Sequence, residues 1–282
     1  MRGLQAEVLW VTKGPANALE LSRSGIELAE RRGSTDLAMA FRAETLRPLF
    51  DLGNWDVLLQ VAEQVLRWAG PDGERYFTLL AQSQRARVLA CRGDISSAAA
   101  LTDGFLQVAR EISDPQVLVT ALAVTALVKR AQDDSPAAIT LIEELERVTR
   151  ERPGSYQAQY ACELVRICAA GEAIDLADRL LQGVEASARR HALSLLTCRA
   201  ILEESRDDLD RALETFRGAA DGWQEFGFLL EEGEARLGAG RILVRLRRPG
   251  GSDILREARA VFVRLGAVPR VADTDRWLDL AA

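Results

Sequence analysis

The sequence predicts an all-α fold: a right-handed α-solenoid superhelix of about seven helical hairpins, ending in a capping helix. Three observations predict it. Apolar residues recur at helical spacing along nearly the whole chain, turn residues interrupt them at a period near 40, and the single strand-like segment has no partner to pair with. A hairpin that cannot bury its apolar stripe alone buries it by stacking on its neighbours.

The elements follow in chain order. A first helix near 1–12 stops at Gly14, and Pro15 opens the second, near 15–32, because proline lacks the amide that a first helical turn leaves unused. The segment 34–52 is helical but holds Pro48, where a kink or early break is expected. After Gly53-Asn54-Trp55-Asp56, residues Leu58, Val61, Ala62, Val65, Leu66 and Ala69 form the stripe of a helix near 54–69. Pro71 ends it and 74–92 follows. Gly93-Asp94-Ile95-Ser96 then pairs a helix-ending glycine with a starting polar residue, ahead of 94–112.

Pro115 opens 115–132, and Asp133-Asp134-Ser135-Pro136 turns the chain into 136–151, with Pro153 beyond it. Helices near 155–170 and 173–189 flank Gly171-Glu172-Ala173-Ile174; those near 191–205 and 208–225 flank Asp207-Asp208-Leu209-Asp210. The clearest stripe of all is Leu209, Ala212, Leu213, Phe216, Ala219, Ala220 and Trp223. Gly240 to Arg248 reads as a strand in isolation, but helical flanks assign it to a helix near 228–247. Pro249, Gly250 and the stripe Ile254, Leu255, Ala258, Val261, Phe262 and Leu265 give a helix at 252–265, which Gly266 and Pro269 end. A last helix near 271–280 is expected to cover the end of the array. No linker divides the pattern, so 1–282 reads as one domain.

Composition bounds the function. The net charge of −6 disfavours a general nucleic-acid or acidic-membrane binder, which needs excess positive charge facing phosphates. Apolar runs fall far short of the roughly 20 residues that span a bilayer. The opening MRGLQAEVLWVTKG lacks a leader's cleavage site, so an unexported, cytoplasmic chain is expected. Cys91, Cys162, Cys168 and Cys198 lie in helical patterns without a CxxC pair, which points to buried apolar packing; no metal or cofactor is expected.

For catalysis, His191 is the sole histidine; Asp207 and Asp208 complete a triad only on paper, without a GxSxG elbow, and His191 reads as a helix-start or exposed polar residue. Glu143-Glu144 and Glu203-Glu204 read as solvated helix faces. Gly238-Ala239-Gly240 does not follow a strand, so close helix packing is expected there instead of a dinucleotide loop. Trp10, Trp55, Trp68, Trp223 and Trp277 read as core and inter-repeat packing.

Aligning the hairpins by their joints puts Arg47, Arg87 and Arg166 at one position of the first (A) helices, with Arg130 one turn further on. Stacked, they would form a strip on the concave face able to grip acidic or phosphorylated protein segments, since a guanidinium fork binds carboxylate or phosphate bidentately. The alternative is intrahelical ion pairing in a chain with 36 basic residues, of which only Lys13 and Lys129 are lysines.

The joints resemble those of the tetratricopeptide repeat family: Gly93-Asp94 followed by Ala98, and Asp207-Asp208 followed by Ala212, Phe216 and Ala219. The spacing near 40 exceeds that family's 34, and its first-helix aromatic is mostly missing. EARAVFVRLGAVP, ending at Pro269, resembles the closing repeat of C-terminal helical regions in LuxR-type and related ATP-binding bacterial transcription regulators. No GxxxxGK[ST] loop or helix-turn-helix accompanies it. These resemblances imply a non-catalytic module that binds a protein or peptide on its concave face, in bacterial signalling or transcriptional regulation. An effector-sensing arm for a small molecule is the alternative, and a hydrolase a distant third.

Overall fold

The computed structural model describes residues 2–70, 75–112, 114–151 and 156–281, and among them there is no strand. The chain forms an all-α helical-repeat superhelix. The first hairpin is α1 (Arg2–Thr12) and α2 (Pro15–Arg31). The second pairs α3 (Thr35–Glu44) and α4 (Leu46–Asp51) with α5 (Trp55–Ala69), and the third pairs α6 (Arg75–Arg92) with α7 (Ile95–Thr102) and α8 (Phe105–Ile112). There follow α9 (Pro115–Ala131) with α10 (Ser135–Glu151), α11 (Ala161–Ala170) with α12 (Ile174–Leu181), α13 (Arg189–Ser205) with α14 (Leu209–Phe226), and α15 (Leu229–Arg245) with α16 (Gly251–Leu265). The last helix is α17 (Val268–Leu280). Pro71 and Pro153, expected as helix boundaries, lie outside the described residues.

The break expected at Pro48 falls at Thr45, three residues earlier, as a proline ring displaces the carbonyl one turn before it. Four other boundaries differ from expectation, the first being that the helix expected over 155–170 starts at Ala161, after a 3-10 turn at Gln157–Gln159. The helix expected over 94–112 is divided at Asp103-Gly104, where Gly104 takes φ +71°. The helix expected to reach 189 ends at Leu181, before Gly183 at φ +78°. The last helix starts at Val268 because Pro269 fits its first turn, where no amide is needed. Gly240 to Arg245 is helical, as its flanks imply.

The joints share one geometry. Asn54, Asp94, Asp134, Ala173, Asp208 and Arg248 each donate their amide to the carbonyl five residues back, the 6→1 bond of a Schellman turn. The residue before each is left-handed: Gly53, Gly93, Asp133, Glu172, Asp207 and Arg247. Gly171, read as a turn glycine, has φ −96° and gives that role to Glu172.

One apolar cluster runs from Leu19 to Ala267, holding Trp55, Ile142, Leu145, Trp223 and Phe262 at or below 1% exposure. Successive turns of the superhelix also touch, so the array closes on itself. A Cβ at Gly53 would lie 2.5 Å from Leu265 and 3.3 Å from Leu229; one at Gly14 would lie 2.7 Å from the Phe226 carbonyl. Phe50 meets Phe228 edge-on at 6.2 Å. Pro269 packs on the Gly93 turn, and α17 rests on α6. The cap helix therefore docks on the third hairpin in addition to covering α16.

Candidate functional site

The inner faces of the A helices converge where the turns close, and their polar side chains meet there. Arg87 on α6 is 5% exposed, and its Nη2 donates to Glu163 on α11. Its guanidinium lies 3.9 Å from the Phe50 ring centroid and 5.3 Å from that of Tyr160. Arg166 on α11 reaches α15, pairing with Glu231 through both oxygens and standing 3.7 Å from Glu234. Arg270 on α17 donates to Glu234 at 2.6 Å. Arg190 on α13, 1% exposed, reaches Asp51 on α4, whose Oδ2 also accepts from Trp10 Nε1 at 2.7 Å. Arg190 is sandwiched between the rings of Trp10 and Phe228, at 4.3 and 4.6 Å.

The Arg166–Glu231, Arg87–Glu163 and Arg190–Asp51 pairs join side chains 65 to 139 positions apart in the chain. The expected alternative of intrahelical pairing therefore does not describe Arg87 or Arg166. Arg130, half-buried at the end of α9, pairs locally instead, 3.4 Å from Asp133 of the following turn. Arg47 is helical in spite of Pro48 and is buried, with Glu7 at 3.9 Å and the Trp10 ring at 5.7 Å. The fold thus gathers Arg87 and Arg166 around Glu163, sets Arg47 beside Trp10, and leaves Arg130 apart.

Burial governs the electrostatics. It pushes the carboxyls of Asp51 and Glu163 above their ordinary range, against the pull of Arg190 and Arg87 respectively. Burial also penalises the Arg87 and Arg166 guanidiniums, yet Glu163 and Glu231 outweigh it and hold both above their usual value. For Glu234, the combined field of Arg270, Arg166 and Arg241 overcomes desolvation and lowers the carboxyl. Even so, donors are left over. Among the described residues Arg47 Nε, Arg87 Nε, Arg190 Nε and Gln84 Nε2 have no hydrogen-bond partner. A cavity beside Arg47, lined also by Glu7, Trp10 and Glu44, measures about 10 Å³, room for a single water.

Sequence reasoning missed Arg190, Asp51 and Arg241. Arg190 carried a signal: it shares the buried stripe of Ser194, Thr197 and Cys198, and no carboxylate stands three or four residues away to pair with it. Arg241, bound to Glu204, lies six residues before Arg247, as Arg47, Arg87 and Arg166 lie six before Gly53, Gly93 and Glu172.

The other candidates resolve simply. His191 starts α13 as expected but is buried, 4% exposed, with Ser187 Oγ 3.1 Å from Nδ1; burial and then Arg190 lower its pKa. Asp207 lies beyond the other end of α13, about 24 Å away at 1.5 Å per residue, so no triad forms. Cys162, Cys168 and Cys198 are buried and Cys91 half-buried; burial pushes the Cys91 thiol up to about 12. Glu203 and Glu204 are engaged, Glu203 by Thr215 and Glu204 by Arg241. Trp55 and Trp223 are core, and Trp68 is tied to Asp36 at 3.0 Å. No helix among the described residues is long and apolar enough to cross a membrane.

No family model matches the chain, and no curated protein matches it in sequence. Its fold is similar over its whole length to a Rap protein complexed with competence and sporulation factor. The TM-score is 0.70 at 15% identity, covering 100% of this chain and 76% of that one. BtubC (BKLC) from P. vanneervenii aligns with 80% of this chain and 89% of its own, at 16% identity and a TM-score of 0.44. The first likeness shows a tetratricopeptide-like helical-repeat fold.

Proposed function

We propose that the chain is a non-catalytic recognition module that takes a protein or peptide segment along the concave face of its A helices. The observation that carries this reading is the whole-chain likeness to a Rap protein whose structure was solved in complex with competence and sporulation factor. The inner face supplies the chemistry. Arg87 and Arg47 hold their guanidiniums beside aromatic rings and Arg166 lies further along the same face, a setting suited to carboxylates of an acidic segment, with Arg130 as an outlying contact. The setting we assign is bacterial signalling or transcriptional control in the cytoplasm, with 1–282 acting as one unit. The likeness of the final repeat to LuxR-type regulator arms supports that setting.

The test is chemical crosslinking of the full chain in its native cell extract, with the captured protein identified and its crosslinks mapped. Crosslinks from α6, α9 and α11 are expected. Crosslinks confined to the second helices of the hairpins overturn the reading. So does the absence of any captured protein, combined with a metabolite that raises the melting temperature, which would make the chain an effector-sensing arm.

A further inference from the structure

We propose that the concave site is masked by the protein's own carboxylates: Asp51, Glu163 and Glu231 occupy its arginines in a closed superhelix, and an acidic polypeptide segment replaces them when the seam between turns opens. The inference rests on the concave face being the recognition surface, and it adds the ligand's chemistry and the step that controls access.

Two independent observations meet here. The first is the seam. The joints that share the Schellman geometry need a left-handed residue, and Asp133, Glu172, Asp207 and Arg247 show that this array accepts a side chain there. Gly53 presses against a later part of the chain, on Leu265 with Leu229, and Gly93 lies in ordinary contact with Pro269. Glycine at position 53 thus serves docking as well as turn geometry. The seam includes these turns, Gly14 against Phe226, Phe50 on Phe228, Arg190 on Asp51 and Trp10, and α17 on α6.

The second is the content of the closed interior. Arg87, Arg166 and Arg190 each hold an acid from another hairpin, so widening the superhelix separates all three pairs at once. Buried pairs of this kind recover their desolvation cost incompletely. The spare Nε donors of Arg87 and Arg190 and the spare amide of Gln84 are buried beside them. A segment carrying several carboxylates meets the same forks and brings further acceptors for the leftover donors. A neutral segment would leave the unmasked guanidiniums unpaired, and that selects for acidity.

Gly53→Asp tests this. Aspartate is native at the equivalent joints 133 and 207, so the hairpin is kept, while its side chain has no room against Leu265. Gly33→Asp is the control: Gly33 has φ +67° and nothing within 4 Å of its Cβ. Helicity is checked by circular dichroism, overall size by small-angle scattering, and binding by anisotropy of a fluorescein-labelled oligoglutamate, with oligoglutamine for comparison. The G53D chain is expected to keep its helicity, expand, and bind oligoglutamate at least tenfold more tightly than wild type or G33D. Adding Arg87→Gln and Arg166→Gln should abolish the gain. Gly53→Ala, whose Cβ alone would stand 2.5 Å from Leu265, serves as the milder second opener if G53D fails to fold. The proposal is overturned if folded openers stay as compact as wild type, if they expand without gaining oligoglutamate binding, or if the closed wild type already binds equally well. Equal binding by open and closed chains would spare the concave-face reading, whereas crosslinks away from the A helices would refute that reading whatever the openers do.

Discussion

Replacing Gly238 by alanine should destabilise the protein, even though alanine is the better helix former. Gly238 lies on α15 against Phe216 of α14. A Cβ there would stand 2.8 Å from Phe216 Cε1 and Cζ and 2.9 Å from Cδ1, well inside the roughly 3.5–4.0 Å at which carbon atoms attract. Phe216 is 2% exposed, so its ring has nowhere to retreat. Over-packing of this kind costs about 1–3 kcal/mol, against a propensity gain of about 1 kcal/mol for removing glycine from a helix interior. The net effect is a loss of about 0–2 kcal/mol. Gly218 on α14 provides the control: it is exposed, and its added Cβ meets only Leu196 Cδ2 at 3.9 Å, an ordinary contact. Gly218→Ala therefore keeps the propensity gain and should stabilise by up to about 1 kcal/mol. Urea unfolding followed by circular dichroism reads both variants as shifts in midpoint at constant slope. A G238A midpoint raised as far as that of G218A would refute the close approach of α14 and α15.

Two further outcomes are expected. Asp51→Ala leaves the Arg190 guanidinium buried without an anion and should cost about 3–5 kcal/mol, while the double variant D51L/R190M should lie near wild type; a D51A loss below about 1 kcal/mol in urea would show that Arg190 is already hydrated. His191, the only histidine, should titrate by NMR below its usual 6.5. Because the folded value is depressed, the stability linked to His191 is full above pH 6.5 and falls as pH drops from there through the folded pKa, a slope that His191→Gln should remove. A titration midpoint at or above 6.5 would contradict the burial of the ring.

The period and the helix order were legible because apolar spacing and turn residues are local properties. The exact joint was less legible where it was not glycine. Glu172 and Arg247 take the left-handed position at the modest cost that a solvent-facing residue bears when the 6→1 bond fixes the turn. Reading Gly171 and Gly250 as the joints shifted the frame, and Arg241 was lost from the arginine series as a result. Spacings between the left-handed residues from Gly53 to Arg247 are 40, 40, 39, 35 and 40. The partners of the arginines were not legible at all. Asp51 and Arg190 stand 139 positions apart, and which hairpins face each other depends on the pitch of the superhelix, which no single helix encodes. Gly53 illustrates the same limit: its left-handed turn was readable, its contact with Leu265 was not.

The closed interior raises the question of why acids and arginines stand where apolar side chains would pack. Stability does not require them, since a buried ion pair is often matched by well-packed apolar residues of similar volume. The apolar seam contacts, Phe50 on Phe228 and Gly53 on Leu265, supply adhesion but little register, because rings and methyl groups tolerate sliding. Asp51 tolerates none. One of its oxygens accepts from both Trp10 and Arg190, so α1, α4 and α13 are tied at one point. A slip of α13 by one helical turn, about 5.4 Å, would strand the carboxylate and the guanidinium together. The cost of stranding a buried charge, about 3–5 kcal/mol, exceeds what any single apolar contact in the seam contributes. The polar interior therefore admits one closed register, and any departure from it is a concerted opening that exposes the arginines as a set.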